Sequence, residues 1–140
     1  MIVQETRGLR VLVVEDNVDT AFTLAALLRQ EGHEVQVAPD GPTALQLAQG
    51  DLPDVALLDI GLPGMDGHDV ARWLQTQPGE KRPLLIAITG KDHEEDRRRS
   101  AEAGLDLHLL KPVEPDDLRR LLRRFQGIIR PGFEPSEPMA

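Results

Sequence analysis

The sequence predicts an α/β fold: one parallel sheet of five strands with helices on both of its faces. Two patterns predict it. Short runs rich in Val, Ile and Leu recur at even spacing along the 140 residues, and a segment of helical period separates each run from the next. Strands that alternate with helices join through right-handed crossovers, which makes the strands parallel and sends helices to both faces. A third observation agrees: the first, third and fourth runs are almost continuously apolar, as strands covered on both sides must be.

The runs are RVLVV (10–14), EVQVA (34–38), DVALL (54–58), LLIAI (84–88) and LHLLK (107–111). Phe22, Leu24, Leu27 and Leu28 set the apolar face of the first helix, which ends at Gly32. Asp40 before Gly41 and Pro42 caps the second, with Ala44, Leu45 and Ala48 packed inward. Val70, Trp73 and Leu74 mark the third. Asp92 with Glu95 three residues on has the form of a capping box for the fourth, and Gly104 stops it. Pro115 opens the fifth, which buries Leu118, Leu121, Leu122 and Phe125. The last eleven residues, RPGFEPSEPMA, hold three prolines and a glycine. They predict a loose tail over 129–140 behind a single domain at 8–128.

Composition narrows the function. A net charge of -8 argues against a nucleic-acid binder, which needs a basic face, and suits a cation site. With no cysteine there is no disulfide, thiol nucleophile or Cys-based zinc site. The charged start MIVQETRGLR is no secretory signal, and no apolar run approaches the ~20 residues of a membrane helix. A cytoplasmic chain is expected.

An open parallel sheet places its working site beyond the carboxyl ends of its strands. Those ends carry Glu15 and Asp16, Asp59, Thr89, and Lys111 with Pro112. Each alone has an ordinary explanation as a cap, a turn former, a β-former or a surface lysine. Together they put three acids, a hydroxyl and an amine on one edge. Carboxylates so crowded repel one another unless a cation intervenes, and oxygen-only ligands favour a hard cation, best Mg²⁺. Metal, lysine and hydroxyl then make a cradle for a phosphoryl group. Asp59, opening onto the IGLPG loop, is the natural nucleophile. Gly61, two residues on, has no side chain with which to orient or block a water.

These residues, with LPGMDG following Asp59, resemble the receiver domain of two-component response regulators over about residues 8–128. The resemblance implies a flavodoxin-like three-layer sandwich with strand order 2-1-3-4-5. It implies phosphoryl transfer onto Asp59 from a histidine kinase or histidine phosphotransfer protein, with Mg²⁺ (or Mn²⁺ as substitute). Asp16, Asp59 and the backbone of Gly61 would ligate the metal, and Glu15 would act through a bound water. Lys111 would pair with Asp59 and then with the phosphoryl group. Thr89 would move inward, and Pro112, after a cis bond, would shape the adjoining turn. The sequence departs from the family pattern twice: the acidic pair is Glu–Asp, and His108 stands where a switching Tyr or Phe is usual.

Little chain follows the last helix, so no output module is expected there, and the signal would leave through the fourth helix, fifth strand and fifth helix to a protein partner or a second copy. Arg97, Arg98, Arg99, Arg119, Arg120, Arg123 and Arg124 lie on those helices. A stand-alone regulator and a receiver cut from a hybrid kinase both fit. So do two other functions: a receiver-shaped interaction module without phosphate, and a metal-dependent phosphatase. Gly61 argues against turnover on outside substrates, because such phosphatases want an acid at that position.

Overall fold

The computed structural model describes residues 8–62, 64–79, 81–90 and 94–129, the side chains of 94–96 and 129 apart. The expected loose tail at 129–140 lies outside the described residues from 130 onward, as does Asp92 of the expected capping box. The elements alternate strictly: β1 (Arg10–Val14), α1 (Val18–Gln30), β2 (Glu34–Ala38), α2 (Gly41–Gln49), β3 (Val55–Asp59), α3 (Gly67–Gln75), β4 (Leu84–Thr89), α4 (Glu94–Ala103), β5 (Leu107–Leu110) and α5 (Pro115–Ile129). The five strands form one parallel sheet in the order β2-β1-β3-β4-β5. The chain reverses its winding direction between β2 and β3, so a crevice opens above β1 and β3.

Alternation along each strand divides the core in two. Leu12, Val14, Ala56, Leu58, Leu85 and Ala87 point to the layer of α2, α3 and α4. Val11, Val13, Val55, Leu57, Ile86 and Ile88 point to α1 and α5. Each fully buried Leu or Ile removes apolar surface worth about 1.5–3 kcal/mol.

Side-chain caps set the helix starts. Asn17 accepts a hydrogen bond from Thr20 N at 2.9 Å, and Asp40 accepts one from Thr43 N at 2.8 Å. Asp66 and Asp69 form a reciprocal capping box at the start of α3. Gly32 and Gly104 follow α1 and α4 at φ +95° and +89°, where an L side chain would be strained.

Two expectations need correction. Phe22 does not join the core: α1 buries Ala21, Leu24, Ala25 and Leu28, and Phe22 points to solvent. The buried stripe includes two alanines, so reading only the large residues kept Leu24 and Leu28 but turned the predicted face away from Ala21 and Ala25. The third strand starts at Val55, because Asp54 is used otherwise. Its Oδ2 accepts from Arg10 N at 2.8 Å and its Oδ1 lies 3.1 Å from Lys81 Nζ, closing the amino-terminal edge of the sheet. Asp106 does the same for Leu85 N at 2.8 Å. Among the described residues, no helix is long and apolar enough to cross a membrane.

Candidate metal and phosphoryl site

The crevice at the carboxyl edge gathers three acids and one lysine. Glu15 leaves β1 and Asp59 ends β3, each nearly enclosed at 2% and 6% exposure, while Asp16 reaches into solvent beside them. One oxygen from each of Glu15, Asp16 and Asp59 lies within 4.8 Å of the others. The backbone holds two of these carboxylates in place. Asn17 N donates to Glu15 Oε2 at 3.0 Å, and Gly61 N donates to Asp59 Oδ1 at 2.9 Å.

Lys111 enters from the end of β5. Its Nζ stands 3.3 Å from Asp59 Oδ2 and 3.4 Å from Glu15 Oε1. Only the contact with Asp59 has hydrogen-bond geometry; Glu15 Oε1 is buried with no hydrogen bond to satisfy it. That position carries an electrostatic signature. Burial, opposed by the bond from Asn17 and reinforced by the Asp59 charge, holds the Glu15 carboxyl above its usual range. Burial depresses Lys111, but attraction from Asp59 and Glu15 outweighs it and raises the ammonium above its ordinary value. The lysine therefore stays charged and neutralises only part of the acidic cluster.

A divalent cation fits the remainder. The donors are all oxygens and they converge, and Glu15 also carries a buried oxygen without a hydrogen bond. The same reasoning disfavours soft metals, which want thiolate or imidazole.

The other expected residues lie beside this cluster. Asp59 is in register with Ile88, so Thr89, buried at the end of β4, stands one residue beyond the neighbour of Asp59. Lys111 N donates to Thr89 O at 2.8 Å, which ties the two strand ends together. The Lys111–Pro112 bond is cis. A Cβ added at Gly61 would sit 3.5 Å from Asp59 Oδ1, so glycine leaves space directly over the carboxylate. His108 is not brought into the cluster. It is half-buried on β5 opposite Ala87, two strands from Asp59, and points to the α4 side. With Thr89, Arg97, Leu110, Pro112 and Asp117 it lines a cavity of about 380 Å³.

Sequence reasoning missed three contributors. Asn17 is both the cap of α1 and the donor that orients Glu15. Gly67 lets α3 lie against the acceptor strand, because a Cβ there would stand 2.9 Å from Asp59 O and 3.0 Å from Ile60 Cα. His68 is buried between α3 and α4. The run D-G-H-D at 66–69, a cap with its partner three residues on, was the available signal for the first turn of α3.

Comparison with known proteins agrees with this geometry. The family described as response regulator receiver domain matches residues 11–123. The response regulator PleD of Caulobacter vibrioides is 42% identical over 125 residues, covering 86% of this chain but only 27% of PleD. The chain thus spans about a quarter of that relative's length. Among solved structures, the chemotaxis protein CheY4 of Vibrio cholerae superposes with a TM-score of 0.79 at 28% identity, covering 86% of this chain and 99% of that one. The receiver domain of the sensor histidine kinase PA1611 of Pseudomonas aeruginosa, solved with a magnesium ion in its active-site cleft, gives 0.77 at 33% identity, covering 86% and 98%. With the acidic cluster, the strand order and the matched residues in agreement, the chain belongs to the receiver domains of two-component response regulators and is a phosphoacceptor domain of that family.

Proposed function

We propose that Asp59 is the phosphoacceptor and that the phosphoryl donor is a histidine kinase or histidine phosphotransfer protein in the cytoplasm. The observation that carries this is the Asp59 carboxylate itself. It is oriented through one oxygen by Gly61 N, paired through the other with Lys111, and open above Gly61. In the transfer, the N–P bond of the donor's phosphohistidine breaks and its electron pair returns to the imidazole. A bond forms from phosphorus to an Asp59 oxygen. Lys111 then moves its pairing to the phosphoryl oxygens, and the Thr89 hydroxyl donates to another of them.

Asp16, Asp59 and the Gly61 carbonyl would hold Mg²⁺, or Mn²⁺ in its place, directly, and Glu15 would act from behind them. The cation supplies charge neutralisation for the phosphoryl oxygens. The magnesium in the active-site cleft of the PA1611 receiver supports magnesium as the cation.

The donor's approach has a candidate surface. Val18 and Phe22, one helical turn apart on α1, are 78% and 71% exposed. They border the same edge as a cavity of about 450 Å³ lined by Asp19, Thr20, Leu24, Lys111 and Pro112. A donor helix must reach Asp59 past this edge, and two large apolar side chains there give it something to bury.

Output leaves by α4, β5 and α5, to a protein partner or a second copy of the chain. The cavity shared by Thr89 and His108 supports His108 as the second moving part after Thr89. Three arginines of α5 are engaged within the chain: Arg119 and Arg120 with Asp116 and Asp117, and Arg119 and Arg123 with Glu31, which caps the end of α1.

Incubation with acetyl phosphate and Mg²⁺, followed by intact mass measurement, tests the reading. The wild-type chain should gain one phosphoryl group, and Asp59→Asn should gain none. A normal gain in Asp59→Asn would overturn the assignment.

A further inference from the structure

The helix α4 has almost nothing to hold it by hydrophobic burial. Its sequence, EEDRRRSAEA, contains no aliphatic residue larger than alanine. Among its described side chains, only Ser100 and Ala103 are buried. A helix that buries so little apolar surface is weakly fixed unless specific polar contacts hold it.

Among the described residues, three such contacts tie it and its ends to α3 and the α3 cap. At the centre, His68 is 1% exposed and its Nε2 lies 2.9 Å from the fully buried Ser100 Oγ. Serine can donate or accept, so this bond forms with either tautomer of the ring. On one side of it Arg99 Nη2 meets Asp66 Oδ2 at 3.4 Å, and on the other Gln75 Nε2 donates to the Gly104 carbonyl at 3.2 Å. The flanking contacts are exposed, where such pairs contribute little. The buried one is different, since breaking it strands a polar atom away from water.

The far end of this connection is the acceptor. His68 follows Gly67, and Gly67 lies so close to Asp59 O and Ile60 Cα that a methyl group would not fit. The first turn of α3 is thus pressed against the backbone of β3 on one side and bonded to α4 on the other.

We propose that His68 is a positioning residue: through its buried bond to Ser100 it holds α4 against the acceptor loop and couples that helix to Asp59. The holding role stands on the fold alone, while the coupling role rests on Asp59 being the phosphoacceptor. Loss of the bond should leave α4 helical but loosely attached, so that events at Asp59 no longer reach it through α3.

Hydrogen exchange of the whole chain, with and without beryllofluoride and Mg²⁺, reads both roles. In His68→Leu and Ser100→Ala, amides of α4 should exchange roughly tenfold faster, about what one buried hydrogen bond is worth, while β3 and α5 keep their protection. Beryllofluoride should still bind, yet its effect on α4 should be largely lost. His68→Gln, whose amide reaches the place of Nε2, should restore most of the α4 protection. Ser100→Ala changes a single oxygen and keeps the test available if His68→Leu fails to fold. Unchanged α4 exchange in Ser100→Ala, or acceleration spread evenly over the chain, would overturn the proposal. If the wild-type protein shows no beryllofluoride response, the acceptor reading fails, and the α4 exchange rates still decide the holding role.

Discussion

The two strands that deliver the main chemical groups could hardly differ more in their surroundings. β3 carries Asp59 and lies between β1 and β4, and from Val55 to Leu58 it has no accessible surface. β5 leads to Lys111 and lies at the edge, paired only with β4, with Leu110 51% exposed. The Asp59 carboxylate therefore sits on a strand that is buried throughout. Lys111 and His108, to which the proposed function gives the moving roles, lie just beyond and on this more exposed edge strand. Under the proposed reading, packing would hold the acceptor more firmly than the groups that respond to it.

Substitution by alanine should expose the contrast most strongly. Leu57→Ala removes a fully enclosed side chain between β3 and the α1–α5 layer, and should cost about 2–5 kcal/mol in urea unfolding. Leu110→Ala on β5 should change stability by no more than ~0.5 kcal/mol. Comparable losses in the two variants would erase the distinction between the strands.

Next in size is Gly67→Ala. Its new methyl would meet backbone rather than a yielding side chain, so the acceptor strand or α3 must move. A loss of about 1–3 kcal/mol is expected, with weaker beryllofluoride binding because Asp59 moves with its backbone. Gly41→Ala would meet only the side chain of Met65 and should be milder. If the two rank the other way in thermal melts, the close approach of α3 to Asp59 is not a constraint.

The same division explains what could be read in the sequence. Continuous apolar runs revealed β1, β3 and β4, and the residue ending each run revealed the site, because strand ends in a parallel sheet fall on one edge. Phe22 was misplaced because alanine carries little weight in a pattern of large residues, although it lines half of the stripe that α1 buries. His68 and Ser100 were invisible for a different reason. A single histidine on α3 and a single serine on α4 have no periodicity, and only the packing of α3 against α4 makes them partners. Gly67 entered only as the end of the LPGMDG run, and its constraint comes from a strand end eight positions earlier.

A finer test concerns the two neighbouring acids of the cation site. Glu15 is enclosed and held by Asn17 N, whereas Asp16 is exposed and closer to the role of a direct ligand. Glu15→Gln should weaken Mg²⁺ binding roughly tenfold, as for a group acting behind the direct ligands, and Asp16→Asn should weaken it more. Calorimetric titration ranks the two, and equal losses would remove the distinction. Without a cation, Glu15→Gln should also stabilise the fold at neutral pH. Because the folded chain raises the Glu15 pKa above its ordinary 4.5, it binds that proton more tightly than the unfolded chain does. Stability from this group therefore falls as pH rises from 4.5 through the folded value, and glutamine abolishes that slope.

The smallest expected effect lies at the opposite edge of the sheet, beside β2. His33 is buried before β2, and its Nδ1 accepts a hydrogen bond from Leu9 N at 3.0 Å. Burial pushes its pKa below the ordinary 6.5, with Glu31 opposing part of that shift. Between the folded value and 6.5 the unfolded chain binds the extra proton, so the stability that His33 contributes is fully present above 6.5 and declines as pH falls through that window. Protonation also removes the acceptor that Leu9 N needs. His33→Asn keeps an acceptor oxygen near the place of Nδ1 but cannot titrate. It should flatten the dependence of stability on pH below 6.5 while leaving phosphorylation of Asp59 unchanged. Hydrogen exchange measured across that range should show the wild-type loosening at Leu9 and the β1–β2 end, with α4 and β5 unaffected. If acid loosens α4 first instead, the softness of the output side responds to pH as well as to packing, and the contrast between the two halves is not one of packing alone.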